Sequence, residues 1–118
     1  MKLLLLSSDL MLASAAHGAA SRHGAELRNA ADANAVMAAC QESDVRLVVV
    51  DLRTPGLDIG ALANGLKQLD PAPHILACAP HVHEASLAAA RAAGCDEVVS
   101  RGEVERRLDA TLGRLTAT

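Results

Sequence analysis

Apolar positions along this chain follow two rhythms. Leu3 to Leu6, Arg46 to Val50 and the segment HILAC (74–78) are short, nearly unbroken apolar runs. Runs of that length without alternation mark strands covered on both faces. Between them lie longer segments in which apolar residues recur at helical spacing. The alanine-rich stretch from Leu10 to about Arg22 is the first, with Gly24 placed to close it. AELRNA (25–30) alternates like an outer strand, and Asp32 is a plausible N-cap for the helix ANAVMAACQE (33–42). Ile59, Leu62, Leu66 and Leu69 form the stripe of a third helix. EASLAAARAAG (84–94) reads as a fourth, EVVS (97–100) as a short strand, and Val104, Leu108, Leu112 and Leu115 as the stripe of a fifth helix.

Five strands alternating with five helices predict an α/β fold: a doubly wound, five-stranded parallel sheet with helices on both faces. No repeat, low-complexity tract or linker divides residues 1–118, so a single domain is expected. In such a sheet, function gathers where the carboxyl ends of the strands meet the following loops. Ser7, Ser8, Asp9, Asp51, Cys78 and Arg101 all fall at that edge.

Composition narrows the classes. A formal charge of −3 and the complete lack of aromatic residues argue against a nucleic-acid surface. MKLLLLSSDLMLASAA imitates a secretory signal, but Ser7, Ser8 and Asp9 cut the apolar run to four leucines, short of the ~7–15 residues an h-region needs. No segment approaches the ~20 apolar residues of a membrane span. A cytoplasmic protein is expected, with Cys40, Cys78 and Cys95 as reduced, buried thiols. The opening Met1 and the lack of a linker-like tail suggest a stand-alone unit.

Three chemistries compete for the strand ends. A phosphate-binding glycine loop is excluded, because the first strand is followed by SSDLM, with no glycine until Gly18. Cys78, His81 and His83 in CAPHVH combine thiol and imidazole, a metal-ligand or nucleophile–base pairing. A closed site needs four ligands, however, and no second Cys/His pair follows. The remaining candidate is Asp51, a carboxylate that ends the most apolar run. A polar residue there either stops the strand or works in the crevice.

In VVVDLRTPGLDIGAL the chain resembles the strand, phospho-acceptor aspartate and MPGMDG loop of response-regulator receiver domains. GAELRNAADANAVM is similar to that family's second strand and helix, and AARAAGCDEVVSRG to its AxxAGAxxYLxKP ending. The resemblance covers essentially the whole chain. It implies a flavodoxin-like fold with sheet order 2-1-3-4-5, in which Asp51 matches the phospho-acceptor and the backbone carbonyl of Arg53 matches a magnesium ligand. Other working positions depart from the family. Its acidic pair falls on Ser7 and Ser8 with only Asp9 beside them, and its switch residues on Cys78 and Val98. Its phosphate-contacting lysine falls on Arg101, followed by Gly102 in place of proline.

A phosphoryl group on Asp51 brings about two negative charges, and each uncompensated pair at ~4 Å costs about 4 kcal/mol at an effective dielectric of ~20. Without carboxylates to hold magnesium, transfer slows by roughly a thousandfold or more at ~1.4 kcal/mol per decade. The expectation is a pseudo-receiver: no enzyme and no required cofactor, with Asp51 vestigial and paired to Arg101. It would work by binding a protein partner, or a second copy, through the face of the fourth helix, fifth strand and fifth helix. Two alternatives stay open: a true receiver with a weak Mg2+ site at Asp9, Asp51 and the Arg53 backbone, or a metal or thiol enzyme using Cys78, His81 and His83.

Overall fold

A computed structural model describes residues 1–117. The strands are β1 (Lys2–Leu6), β2 (Glu26–Ala30), β3 (Val45–Asp51), β4 (His74–Ala79) and β5 (Glu97–Ser100). They alternate with α1 (Leu10–Arg22), α2 (Ala33–Glu42), α3 (Ile59–Lys67), α4 (Glu84–Ala92) and α5 (Val104–Thr116). All four strand pairings are parallel, and the sheet order is β2-β1-β3-β4-β5. This is the doubly wound order expected from the sequence.

Side chains alternate across each strand, which sorts the core into two layers. Leu3, Leu5, Leu47, Val49, Leu76 and Cys78 face one side, where Leu12, Ala16 and Ala19 of α1 meet Leu108 and Leu112 of α5. Leu4, Leu6, Val48, Val50, Ile75 and Ala77 face the other, against Val36, Leu62, Leu66 and Ala90 of α2, α3 and α4. Continuous apolar runs were the right signal because β1, β3 and β4 are covered twice. Each fully buried leucine contributes roughly 1.5–3 kcal/mol by leaving water. Alanines on α1 let the helix lie close to the sheet without aromatic filler.

Aspartates start the first three helices. Asp9 Oδ1 accepts from the N–H groups of Met11 and Leu12 in α1, Asp32 from Ala35 in α2, and Asp58 from Ala61 in α3. Each satisfies donors that the helix geometry leaves unpaired. Gly56 carries φ +73°, the left-handed conformation that lets the β3–α3 loop turn sharply away from Asp51. Among the described residues no helix is long and apolar enough to cross a membrane.

The structure corrects several local expectations. α3 ends at Lys67, so Leu69 lies beyond the helix while still packing on its core layer. A 3₁₀ turn over Arg101–Glu103, unmarked in the sequence, joins β5 to α5. Only Cys78 is fully buried; Cys40 and Cys95 are half-buried. Leu87 points into the core, so α4 presents Ala88, Ala89, Arg91 and Ala92 outward without it.

Candidate functional site: a polar crevice at the carboxyl edge of the sheet

Asp51 sits at the last position of the central strand, in register with Cys78 of β4. The four residues before it, Leu47 to Val50, are apolar and buried, and Asp51 is only 4% exposed, one of two buried polar residues among those described. A carboxylate so placed needs donors, and the adjacent loops supply them. Ser7 Oγ, just past β1, donates to Asp51 Oδ2 at 2.7 Å. The backbone N–H of Arg53 donates to Oδ1 at 2.9 Å, and the Arg53 Nε lies 3.7 Å from that same oxygen. Thr54 secures the turn by donating its hydroxyl to the Asp51 carbonyl at 2.7 Å.

Asp9 forms the second half of the crevice. Its Oδ1 caps α1, while Oδ2 accepts from Arg53 Nη2 at 2.8 Å and Arg101 Nη2 at 3.4 Å. Its own N–H donates to Ser7 Oγ at 3.0 Å, linking the two acids through one hydroxyl. The Leu12 N–H holds the Asp9 carboxyl below the usual range; partial burial opposes this, and the Met11 N–H and the Arg101 charge add to it.

Arg101 therefore does not take Asp51 as its partner: the guanidinium reaches Asp9. The buried Asp51 already has a donor on each oxygen, whereas the less buried Asp9 carboxylate lies within reach of the turn after β5. Arg101 Nε is buried and makes no hydrogen bond. Ser8 is exposed at the rim, and Val98 is half-buried against the layer of α2, α3 and α4.

The cysteine–histidine candidates do not come together as a reactive group. Cys78 is fully buried, and burial, then the nearby Asp51 charge, push its thiol up to about 12. It stays protonated at neutral pH, and a thiol is a poor nucleophile and ligand compared with its thiolate. His81 and His83 lie exposed in the β4–α4 loop. Among the described residues no group of three or more His, Cys, Asp or Glu side chains is arranged to hold a metal ion.

The magnesium implied by the sequence resemblance finds a poor donor set. Two carboxylates converge, but all four of their oxygens accept hydrogen bonds from this chain. Two guanidiniums lie within salt-bridge reach of them. A hard divalent cation wants anionic oxygens and water, and competes poorly with two fixed positive charges. The residues present do not fit it.

The side chain of Arg53 was missed at the sequence level, where only its backbone carbonyl drew notice. Its signal was available: an arginine two positions after a strand-end aspartate can turn back over the carboxylate.

Sheet order and helix placement together define a flavodoxin-like fold, the fold of response-regulator receiver domains. No family model matches the sequence, and no curated protein matches it. Solved structures do. The receiver domain of NtrX from Brucella abortus superposes with a TM-score of 0.78 at 24% identity, over 97% of each chain. A putative response regulator from Chloroflexus aurantiacus gives 0.81 at 18% identity, over 99% of this chain and 98% of that one. The receiver domain of TorR, the TMAO respiratory system response regulator, gives 0.81 at 14% identity, over 97% and 94%. Against a longer NtrX chain from Brucella abortus, this chain spans only 26% of the length. At these identities the likeness is one of fold.

Proposed function

We propose that residues 1–118 form a single pseudo-receiver domain, a signalling or scaffold module of the two-component type that acts without phosphorylation. Thr118 lies outside the described residues. One observation carries the reading: the carboxylate at the phospho-acceptor position is already committed to Ser7 and Arg53, and its acidic neighbour to Arg53 and Arg101. Phosphoryl transfer needs a free carboxylate oxygen and a cation bridging it to the incoming phosphate. In this crevice the cations are side chains whose positions are set by the fold.

Activity then lies in docking, in the cytoplasm, with no reaction catalysed. The surface proposed for it joins the outer face of α4 to β5 and α5. Ala88, Ala89 and Ala92 make a flat, small-residue strip beside Arg91 on α4, and Arg107 of α5 reaches β5 at Glu97. Small residues allow close backbone approach, and mixed charges set register. Affinity is modest, because no Trp, Tyr or Phe is available as an anchor.

Acetyl phosphate with Mg2+, followed by intact-mass spectrometry, tests the reading directly. The wild type is expected to remain at its unmodified mass. A phosphoryl adduct that disappears in Asp51→Asn would make the chain a true receiver instead. Sedimentation of the wild type and of Ala88→Glu/Arg91→Glu examines the docking face: any self-association is expected to be lost in the double variant and kept in Asp51→Asn.

A further inference from the structure

We infer that Arg53 is a built-in substitute for a divalent cation, and that its side chain keeps the crevice closed to metal ions. This deepens the pseudo-receiver reading and rests on the same crevice, but it makes a separate claim about one residue. Nε and Nη2 lie on one edge of the planar guanidinium, and here that edge serves two different acids. Nη2 is 2.8 Å from Asp9 Oδ2, and Nε is 3.7 Å from Asp51 Oδ1. The oxygens facing one guanidinium edge lie near each other, which is what a bridging cation also requires. One fixed positive charge thus faces both acids at once.

The geometry separates Arg53 from Arg101. Arg101 touches Asp9 alone, and at the longer distance of 3.4 Å. The Arg53 backbone N–H also binds Asp51, so loop and side chain are anchored to the same carboxylate. At 41% exposure the Arg53 side chain lies over the crevice with solvent on its outer side. Its removal opens Asp9 and Asp51 to water while leaving the buried core untouched.

Mn2+ is the probe, because it accepts the same oxygen ligands as Mg2+ and broadens nearby amide signals in NMR spectra. Wild type, Arg53→Ala and Arg53→Gln are titrated at low ionic strength, and broadening is followed at the amides of Asp9, Asp51 and Thr54. Both variants are expected to bind Mn2+ on the order of tenfold or more tightly than wild type, since a positive charge has been withdrawn from the site. Their melting temperatures are expected to fall without metal and to recover when Mn2+ is added. Gln keeps much of the side-chain stem, so it provides the answer should the alanine variant fold poorly. Equal Mn2+ affinity in wild type and variants, whether tight or absent, overturns the inference. Labelling by acetyl phosphate addresses only the pseudo-receiver reading: an unlabelled wild type with unchanged Mn2+ binding in the variants would remove the role of Arg53 and leave that reading standing.

Discussion

At the scale of single residues, the crevice shows how one fold position can carry opposite chemistries. Asp51 and Cys78 are paired in register on adjacent strands, and both are buried. The acid finds a hydroxyl and an amide donor. The thiol is pushed up to about 12 by burial and then by the charge of the neighbouring acid. Cys78 is therefore expected to resist thiol reagents at neutral pH until the chain unfolds, in contrast to a surface cysteine. Counting accessible thiols with and without denaturant checks this, and fast reaction of Cys78 in the native state would contradict it. Asp9 is a different case, since its charge caps a helix as well as gripping two arginines. Asp9→Ala is expected to cost about 0.5–2 kcal/mol for the cap alone, whereas Asp9→Asn, which keeps an acceptor, loses less. Chemical denaturation of the two variants compares them.

Elements reveal a second polar cluster, away from the crevice. Glu97 opens β5, and its nearly buried carboxylate accepts from Thr111 Oγ1 of α5 at 2.6 Å and from Arg107 Nη1 at 3.1 Å. Its Oε2 also lies 2.7 Å from His74 Nε2 at the start of β4. These contacts join the edge strand to its neighbour and to the last helix. Burial by itself would raise the Glu97 pKa, but the Thr111, His74 and Arg107 hydrogen bonds outweigh it and leave the pKa lowered. A depressed folded pKa means stability that is present above the unfolded value of about 4.3 and is lost as pH falls through the folded value. Wild-type melting temperature is expected to drop as pH falls below about 4, and Glu97→Gln to flatten that acid limb. At pH 7 the same variant is expected to lose about 1.5–3 kcal/mol, the worth of hydrogen bonds to a charged group. An unchanged acid limb in Glu97→Gln would show that other carboxylates dominate.

Much of this was legible in the sequence at the level of elements and little at the level of contacts. β1, β3 and β4 announced themselves as unbroken apolar runs because both of their faces are covered. α2 began where Asp32 said it would, since capping is a local interaction. The crevice contacts span large sequence separations: 44 residues from Ser7 to Asp51 and from Arg53 to Asp9, and 92 from Arg101 to Asp9. No local pattern encodes which carboxylate a long, flexible arginine will choose. The burial of Leu87 is hidden for a related reason, because an alanine-rich helix has too weak an apolar stripe to declare its inner face.

The whole molecule combines a core of small aliphatic side chains with a working edge made of ion pairs. Both layers of the core share the central strand, with Leu47 and Val49 on one side and Val48 and Val50 on the other. Leu47→Ala is expected to cost about 2–5 kcal/mol, against total stabilities of ~5–15 kcal/mol for domains of this kind. Urea denaturation measures it; a loss below about 1 kcal/mol would mean that the helices settle into the gap. Asp51→Asn, by comparison, leaves the packing intact and is expected to keep the fold.

The single oxygen Asp9 Oδ2 receives a guanidinium from the β3–α3 loop and another from the turn after β5, while its twin Oδ1 holds the first turn of α1. Opening the crevice and fraying the start of α1 are thus two views of one event. Hydrogen exchange at the Met11 and Leu12 amides becomes a clock for it. A partner that draws either arginine away changes the rate at which those two amides exchange, with no need to touch α1 itself.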